Sequence, residues 1–487
     1  LSPRPGITVI TNWRDLAHAD AGGAEVYCDE VARRLVRDGR RVVMLTAAVA
    51  GRPRSEMVNG YRVVRRGSRL GVYPAVLAWL WSHRRRIDAV IDSQNGIPFF
   101  APLALRRSTP VLLLLHHIHR DQFGAYFSPA TASVGRWLEG PASRRVYGRR
   151  TVVAVSPSTR TAARRILELR GQIFVAPPGC AVAPTRDPAL RRRRPTPAIV
   201  AVGRMVRHKR FELLIEAMPA IAAAHPDVEL HLVGDGPERL HLERIAVTTG
   251  LRIIFHGSLG AAERDAVVAS SWVGVNCTAG EGWGISVIEA NAAGLPVVGF
   301  RVPGLRDSIR DGETGWLVDE GGDLAAQIVH SLDLLADPGV AARWSEQTVA
   351  WADRADWDTT AAVLDDIIES ERGRLAAQDN RRDPTDLVTH VWVPTDLLPD
   401  GWDPRFRRSD RSVRDDQGLS VLLPGADLSD AATALRRAGL PTALSHHDRV
   451  EVRIARPTDL VHPGSGRTDT ARDRAQVTPM RTGSASA

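Results

Sequence analysis

The stretch AIVAVGRMVRHKRFELLIEAMPAIAAAHPDVELHLVG, residues 198–234, carries the fold in its pattern. AIVAVG (198–203) is a short apolar run with no polar alternation. Glu212 to Ala224 repeats apolar residues at helical spacing, and VELHLVG (228–234) is a second short run. Strand, helix, strand in so few residues is a βαβ unit. Strands that are apolar on both faces belong to a parallel sheet covered by helices on both sides. Towards the C-terminus the alternation continues through RIIFHG (252–257), VGVNC (273–277), a helix from about Gly284, PVVGF (296–300) and GWLV (315–318). Towards the N-terminus a second set appears: ITVIT (7–11), a helix from about Ala24 to Val36, RVVMLT (41–46), YRVVRR (61–66), DAVID (88–92), VLLLL (111–115), TVVAV (151–155) and IFVAP (173–177). The expectation is an α/β chain with two doubly wound, Rossmann-like domains, whose ligands bind beyond the carboxyl ends of the strands.

Between the two sets, PTRDPALRRRRPTP (184–197) has no apolar period and reads as a linker. The expected domains are therefore 1–183 and 198–356. WDTTAAVLDDIIESER (357–372) reads as an amphipathic helix and opens a crossover segment, 357–378. The rest, 379–487, reads as a small α/β appendix built on GLSVLLPG (418–425), Ser429 to Ala438 and RVEVRIA (449–455), with about thirty disordered residues at its end.

Composition narrows the function classes. With 44% hydrophobic and 25% charged residues in 487, wholesale disorder is excluded. No apolar run reaches the roughly 18 residues of a membrane span. The first residues lack the basic-then-apolar layout of a signal peptide, so a cytoplasmic location is expected. Cys28, Cys180 and Cys277 are too far apart for zinc spacing. The formal charge of +8 favours anionic partners. Of 64 basic residues only Lys209 is lysine. It falls beyond the strand 198–203, where a compact ammonium differs usefully from an arginine fork.

Four stretches carry chemistry. DAGGAE (20–25) follows the first strand and opens the first helix, so Gly22 and Gly23 let an anion approach the helix N-terminus. It is not a dinucleotide GxGxxG fingerprint, and as a bare pattern it is equally a tight turn. HHIH (116–119) follows the most apolar strand, where a histidine can take a proton or hold a hydroxyl. Arg204 and Lys209 can converge on a diphosphate above the second sheet. EGWGISVIEANAAGLPVVG (281–299) places Glu281 before a Gly-Trp-Gly turn and Glu289 in a helix of apolar and small neighbours, where a buried carboxylate needs a partner. Asp356-Trp357-Asp358 has DxD spacing, but it lies at the start of a late helix and reads as capping, with no metal site expected.

Together these features resemble the GT4 family of retaining glycosyltransferases, which have the GT-B fold. The match rests on GGAE, a histidine after a central strand, GR-x4-K (203–209), GDGP (234–237), E-x7-E, AxGxPVV (292–298) and DGxTGWLV (311–318), in order over residues 7 to 372. The resemblance implies transfer of a sugar from a UDP- or GDP-linked donor, without cofactor or metal. It implies that Arg204 and Lys209 hold the diphosphate, that Glu289 binds the ribose, and that Glu281 holds the transferred sugar. Gly282, Trp283, Gly284, Ile285 and Ser286 lie nearby, and Gly22 and Gly23 approach from the first domain. His116 best matches the active-site histidine, ahead of His117 and His119. One departure is PPGCAV (177–182), which lacks the acidic residue usual at that turn.

YPAVLAWLWSHRRR (73–86) combines Val76, Leu77, Trp79, Leu80 and Trp81 with three arginines. It reads either as an anionic-membrane contact, placing the protein at the inner face of the plasma membrane with a lipid or glycan acceptor, or as a domain helix with a basic end. Nucleic-acid motifs are absent, so no nucleic-acid partner is expected. The alternatives to an enzyme of this kind are a phosphorylase of the same fold and a non-catalytic nucleotide-sugar binder.

Overall fold

The computed structural model describes residues 6–120, 123–126, 128–182, 193–377, 388–399, 402, 406, 410–424, 426, 428–440 and 449–455. The chain parts after Pro177 and again after Asp356. Leu1–Pro177 joins Trp357–Ala487 in one unit, and Pro178–Asp356 forms the other. Of the linker expected at 184–197, residues 184–192 lie outside the described residues, as do the last thirty residues of the chain.

The first unit is built on β1 (Ile7–Thr11), β2 (Arg41–Thr46), β3 (Ser55–Val58), β4 (Tyr61–Arg65), β5 (Ile87–Asn95), β6 (Val111–His117), β7 (Val152–Ala154) and β8 (Ile173–Val175), in the order β3-β4-β2-β1-β5-β6-β7-β8. All pairings are parallel except β3–β4. That hairpin departs from the all-parallel expectation. Its turn is Asn59-Gly60, both with positive φ (49° and 87°), the signature of a tight hairpin turn that the pleat of the flanking strands accepts. The helix α1 (Gly23–Arg37) buries Tyr27, Cys28, Val31 and Leu35, at helical spacing, onto this sheet. On α2 (Val72–His83), Val72, Val76 and Leu80 are buried.

The second unit holds β9 (Ala198–Val202), β10 (Glu229–Val233), β11 (Ile253–Gly257), β12 (Val273–Asn276), β13 (Val297–Phe300) and β14 (Gly315–Val318). The order β11-β10-β9-β12-β13-β14 is parallel throughout. Strand order reverses between β9 and β12, and the loops beyond the carboxyl ends of those two strands therefore face one crevice. Helices α3 (Phe211–Ala224), α4 (Ala261–Ser270), α5 (Ile285–Ala292) and α6 (Pro338–Ala352) belong here. The segment entering the unit meets the segment leaving it: the Cys180 amide donates to the Ala355 carbonyl at 2.8 Å.

The chain then returns to the first unit as α7 (Trp357–Ala377), which packs against α1. Trp357 meets Tyr27 edge-on at 5.4 Å, and Leu364, Ile367 and Ile368 complete the α1 side of the core. Arg40, 2% exposed, pairs with Asp365 and with Glu369 at 2.7 Å. After α7, β15 (Val388–Pro394), β16 (Arg411–Arg414), β17 (Gly418–Pro424) and β18 (Glu451–Ile454) form an antiparallel sheet in the order β16-β17-β15-β18, with α8 (Leu428–Arg437). Its core is Val391, Val393, Leu419, Val421, Leu423 and Leu435. The strand β15 lies in a stretch whose Arg, Asp and Pro content hides it in the sequence.

Candidate active site

In the second unit the loop after β9 runs Gly203, Arg204, Met205, Val206 and then a single 3-10 turn, Arg207–Lys209. It is tied to the loop after β10: Met205 donates its amide to Asp235 O (2.8 Å) and accepts from Glu238 N (3.1 Å). The close approach explains the glycines of GDGP. A Cβ on Gly236 would sit 2.3 Å from Met205 O, and one on Gly234 would sit 2.0 Å from Gly203 O. The same loop is tied on its other side to the loop after β12, because Ala279 N donates to His208 O at 2.8 Å. Arg210 holds this junction in a left-handed turn (φ 51°). Its Nε donates to Cys277 O (2.7 Å) and its Nη2 to Thr278 O (2.9 Å). Arg204 stands exposed on the loop.

These ties bring Lys209 and Glu281 together. Lys209 Nζ lies 2.5 Å from Glu281 Oε1, the side chains being 19% and 15% exposed. Asn276 at the end of β12 donates Nδ2 to the same oxygen (3.1 Å) and approaches Ser286 Oγ (3.4 Å). Burial pushes the Glu281 carboxyl up. The Lys209 ammonium and its hydrogen bond, the Asn276 amide and the nearby His208 outweigh that and hold it below the ordinary glutamate value. The result is an ionised acid and a cation at a sheet switch point, poised for a phosphate or a polyol.

Gly284 enters α5 with φ 105°, where a Cβ would press on Ser308 Oγ at 3.0 Å. The first-turn amides of α5, at Ile285 and Ser286, have no intrahelical acceptor by construction. Trp283 is 8% exposed and packs with Ile288, Ala292 and Ala352, so its ring belongs to the core. Glu289 lies further along α5, 20% exposed, with Arg264 Nη1 of α4 at 3.8 Å.

In the first unit, Gly22 N donates to Glu25 Oε2 at 2.7 Å, so this amide serves the helix's own first turn instead of standing open to a ligand. Gly23 is the first residue of α1. Arg14 Nε, 3.6 Å from Glu25 Oε1, closes that turn. His116 lies near the end of β6. It is 7% exposed, its ring meets Tyr27 edge-on at 5.3 Å, and Nε2 shares a hydrogen bond with Ser93 Oγ at 3.0 Å. Ser93 in turn donates to Asn12 Oδ1 (3.2 Å), which makes Nε2–H the donor. Burial, then His119, push His116 down to about 3, so the ring is neutral at working pH. Strand alternation turns it to the α1 side of the sheet; His117 and His119 are the partly exposed members of the cluster. Asp358, in the first turn of α7, pairs with Arg34 (2.5 Å) and Arg37 (3.1 Å) of α1. Among the described residues no group of three or more His, Cys, Asp or Glu is placed to hold a metal ion.

Two family models match the chain, "Glycosyltransferase Family 4" over residues 21–184 and "Glycosyl transferases group 1" over residues 196–336. The chain is a family 4 glycosyltransferase. This glycosyltransferase is 29% identical over 378 residues to a GDP-mannose-dependent alpha-(1-6)-phosphatidylinositol monomannoside mannosyltransferase of Mycolicibacterium smegmatis, covering 72% of this chain and 96% of that one. It is 27% identical to a D-inositol 3-phosphate glycosyltransferase of Streptomyces avermitilis, covering 72% and 83%. Its GT-B fold is shared with sucrose-phosphate synthase from Thermosynechococcus elongatus (TM-score 0.61, 22% identity, 77% of this chain and 98% of that chain). It is also shared with Anabaena HepE, solved with UDP and glucose (TM-score 0.56, 18% identity, 74% and 99%).

Asn276, Arg210, Arg264 and Asp265 are the site's contributors that sequence reading missed. Arg210 adjoins the single lysine, and that was the one signal available for it. Asn276 and Arg264 act through partners in another loop or helix, Asp265 acts through the adjacent Arg264, and no local pattern marks them.

Proposed function

We propose that this glycosyltransferase retains anomeric configuration, works without a metal, and moves a hexose from a nucleotide diphosphate sugar to an inositol-phospholipid-type acceptor. The carrying observation is the Lys209–Glu281 contact at the β9/β12 switch point. When a donor enters, Lys209 and Arg204 take the diphosphate oxygens and stabilise the charge that develops on the leaving group, work that a divalent ion would otherwise do. Glu281 then accepts from hydroxyls of the transferred sugar, with the first-turn amides of α5 beside it. Glu289 takes the ribose hydroxyls. On the acceptor side Gly22 and Gly23 lie at the α1 N-terminus, and His116 is a buried orienting group more than a proton carrier. The mannosyltransferase and inositol phosphate relatives favour a GDP-linked mannose and a phosphoinositide acceptor.

The membrane contact is narrower than the segment 73–86. Val76 and Leu80 are buried, and Leu77 and Trp79 pack against the core. Trp81, 56% exposed with the Arg84 guanidinium 3.9 Å above its ring, and the following arginines remain for an anionic surface. No described helix is long and apolar enough to cross a membrane.

The test is nucleotide release from a panel of GDP- and UDP-sugars in EDTA, with and without phosphatidylinositol vesicles. One donor turned over in EDTA, accelerated by the lipid and lost in Lys209→Ala, is the expected result. Turnover that requires a metal, or phosphorolysis with no nucleotide donor, would overturn it.

A further inference from the structure

Glu289 sits in a pocket whose apolar walls include Val202, Val268 and Ala293, with Arg264 and Asp265 of α4 on its polar side. A carboxylate in such a wall is driven towards its neutral form. Burial pushes Glu289 up and Asp265 adds to it, while Arg264 alone opposes. Arg264 is itself immobilised, with Nε 2.9 Å and Nη2 2.8 Å from the same Asp265 oxygen. The other titratable neighbour, Cys180 on the segment entering the unit, is pushed up to about 12 by burial and stays a neutral thiol. At 3.8 Å the Arg264–Glu289 pair is beyond hydrogen-bond distance, so the attraction leaves the lone pairs of Glu289 open to a ligand's hydroxyls.

We propose that Arg264 is a positioning residue for donor binding: locked by Asp265, it holds Glu289 as an anionic acceptor for the hydroxyls of the donor's nucleoside. This rests on the reading of Glu289 as a donor-binding group given above. Asp265 thus has a double role, fixing the cation and keeping its charge from being wholly available to one partner. The arrangement repels the diphosphate, because two carboxylates share one guanidinium, and so orients the donor with its nucleoside towards α4 and its phosphates towards Lys209.

The test measures donor KM and kcat between pH 5 and 8 for wild type, Arg264→Leu, Arg264→Lys, Glu289→Gln and the Arg264→Leu/Glu289→Gln double variant. Loss of the arginine raises donor KM by about tenfold, with kcat within about twofold. The penalty grows as pH falls, because Glu289 without Arg264 takes up a proton at higher pH. Arg264→Lys recovers most of the loss. Glu289→Gln raises KM without a pH trend, and adding Arg264→Leu to it changes little further. An unchanged KM in Arg264→Leu, a penalty flat across pH, or full additivity in the double variant would overturn the proposal. Arg264→Lys keeps the test informative if the leucine variant folds poorly. Turnover by wild type and its loss in Lys209→Ala report on the wider reading separately, so intact turnover with a silent Arg264 refutes the positioning role alone.

Discussion

Lys209 does two things at once. In the proposed function it is the cation that meets the donor, and in the fold it is the ammonium partner of Glu281, 2.5 Å away. Lys209→Ala is expected to cut turnover by about 100- to 1,000-fold, the scale of losing one preorganised group at developing charge. Lys209→Arg recovers little, because a planar fork cannot occupy the place of a compact ammonium between Glu281 and a phosphate; single-turnover nucleotide release checks both. Glu281→Gln has a pH signature in stability. The folded carboxyl lies below its unfolded value, so its stabilisation is complete above the ordinary glutamate range and is lost as pH falls through the depressed value. The Gln variant should therefore show a shallower acid branch in Tm against pH. His116 has the same direction through a different charge change. Held at about 3 when folded, it gains a proton on unfolding, so it contributes an acid-side loss below about 6.5 that His116→Gln removes. At this scale the sequence was informative where a residue type was rare, as with the single lysine. It was silent on Asn276 and Arg264, whose partners are supplied by a neighbouring turn and by a different helix.

The elements show a similar division. Parallel strands were legible because burial on both faces leaves continuous apolar runs. The β3–β4 hairpin was not, because SEMV is half polar and its burial is only intermediate or exposed; Asn59-Gly60 was the signal, and it went unused. Gly60→Ala is expected to cost about 1–2 kcal/mol, since a Cβ at φ 87° is strained and would also press on Val36 Cγ1 at 3.3 Å; urea denaturation with an unchanged midpoint would refute this. The helix α7 was legible as a helix, but its docking depends on charges that periodicity does not show. Arg40, 2% exposed, joins Asp365 and Glu369. Arg40→Ala removes the buried cation from carboxylates that are themselves 22% and 40% exposed, Glu369 keeping Arg372 at 3.6 Å, and is expected to destabilise the chain by about 1–2 kcal/mol. A midpoint within error of wild type would mean that α7 is held by its apolar face alone.

At the scale of the molecule, the strand pattern indicated two parallel sheets but not the order of the strands within them, and the return of the chain to its first unit rests on contacts between residues more than three hundred positions apart, such as Arg34 with Asp358. Donor binding should act on one unit. GDP- or UDP-sugar at about 100 times its Kd adds roughly 2.7 kcal/mol to whatever it binds. In calorimetry this should move the transition of the unit holding Lys209 and Glu281, and Lys209→Ala should abolish the shift. Removing everything from residue 357 onward should leave the α1 face of the first unit uncovered, with precipitation as the readout.

The hydrogen bond between Cys180 and Ala355 marks the second unit as an unbroken stretch of chain inserted into the first. During synthesis this sets an order of events. Tyr27, Val31 and Leu35 leave the ribosome early, but Trp357, Leu364 and Ile368, which cover them, follow only after the whole inserted stretch. At about 5–20 residues per second, the roughly 320 residues between Leu35 and Trp357 take about 16–64 s. The nascent first half must wait with an oily face uncovered while the second half matures ahead of it, and that interval is when a chaperone would have most to do.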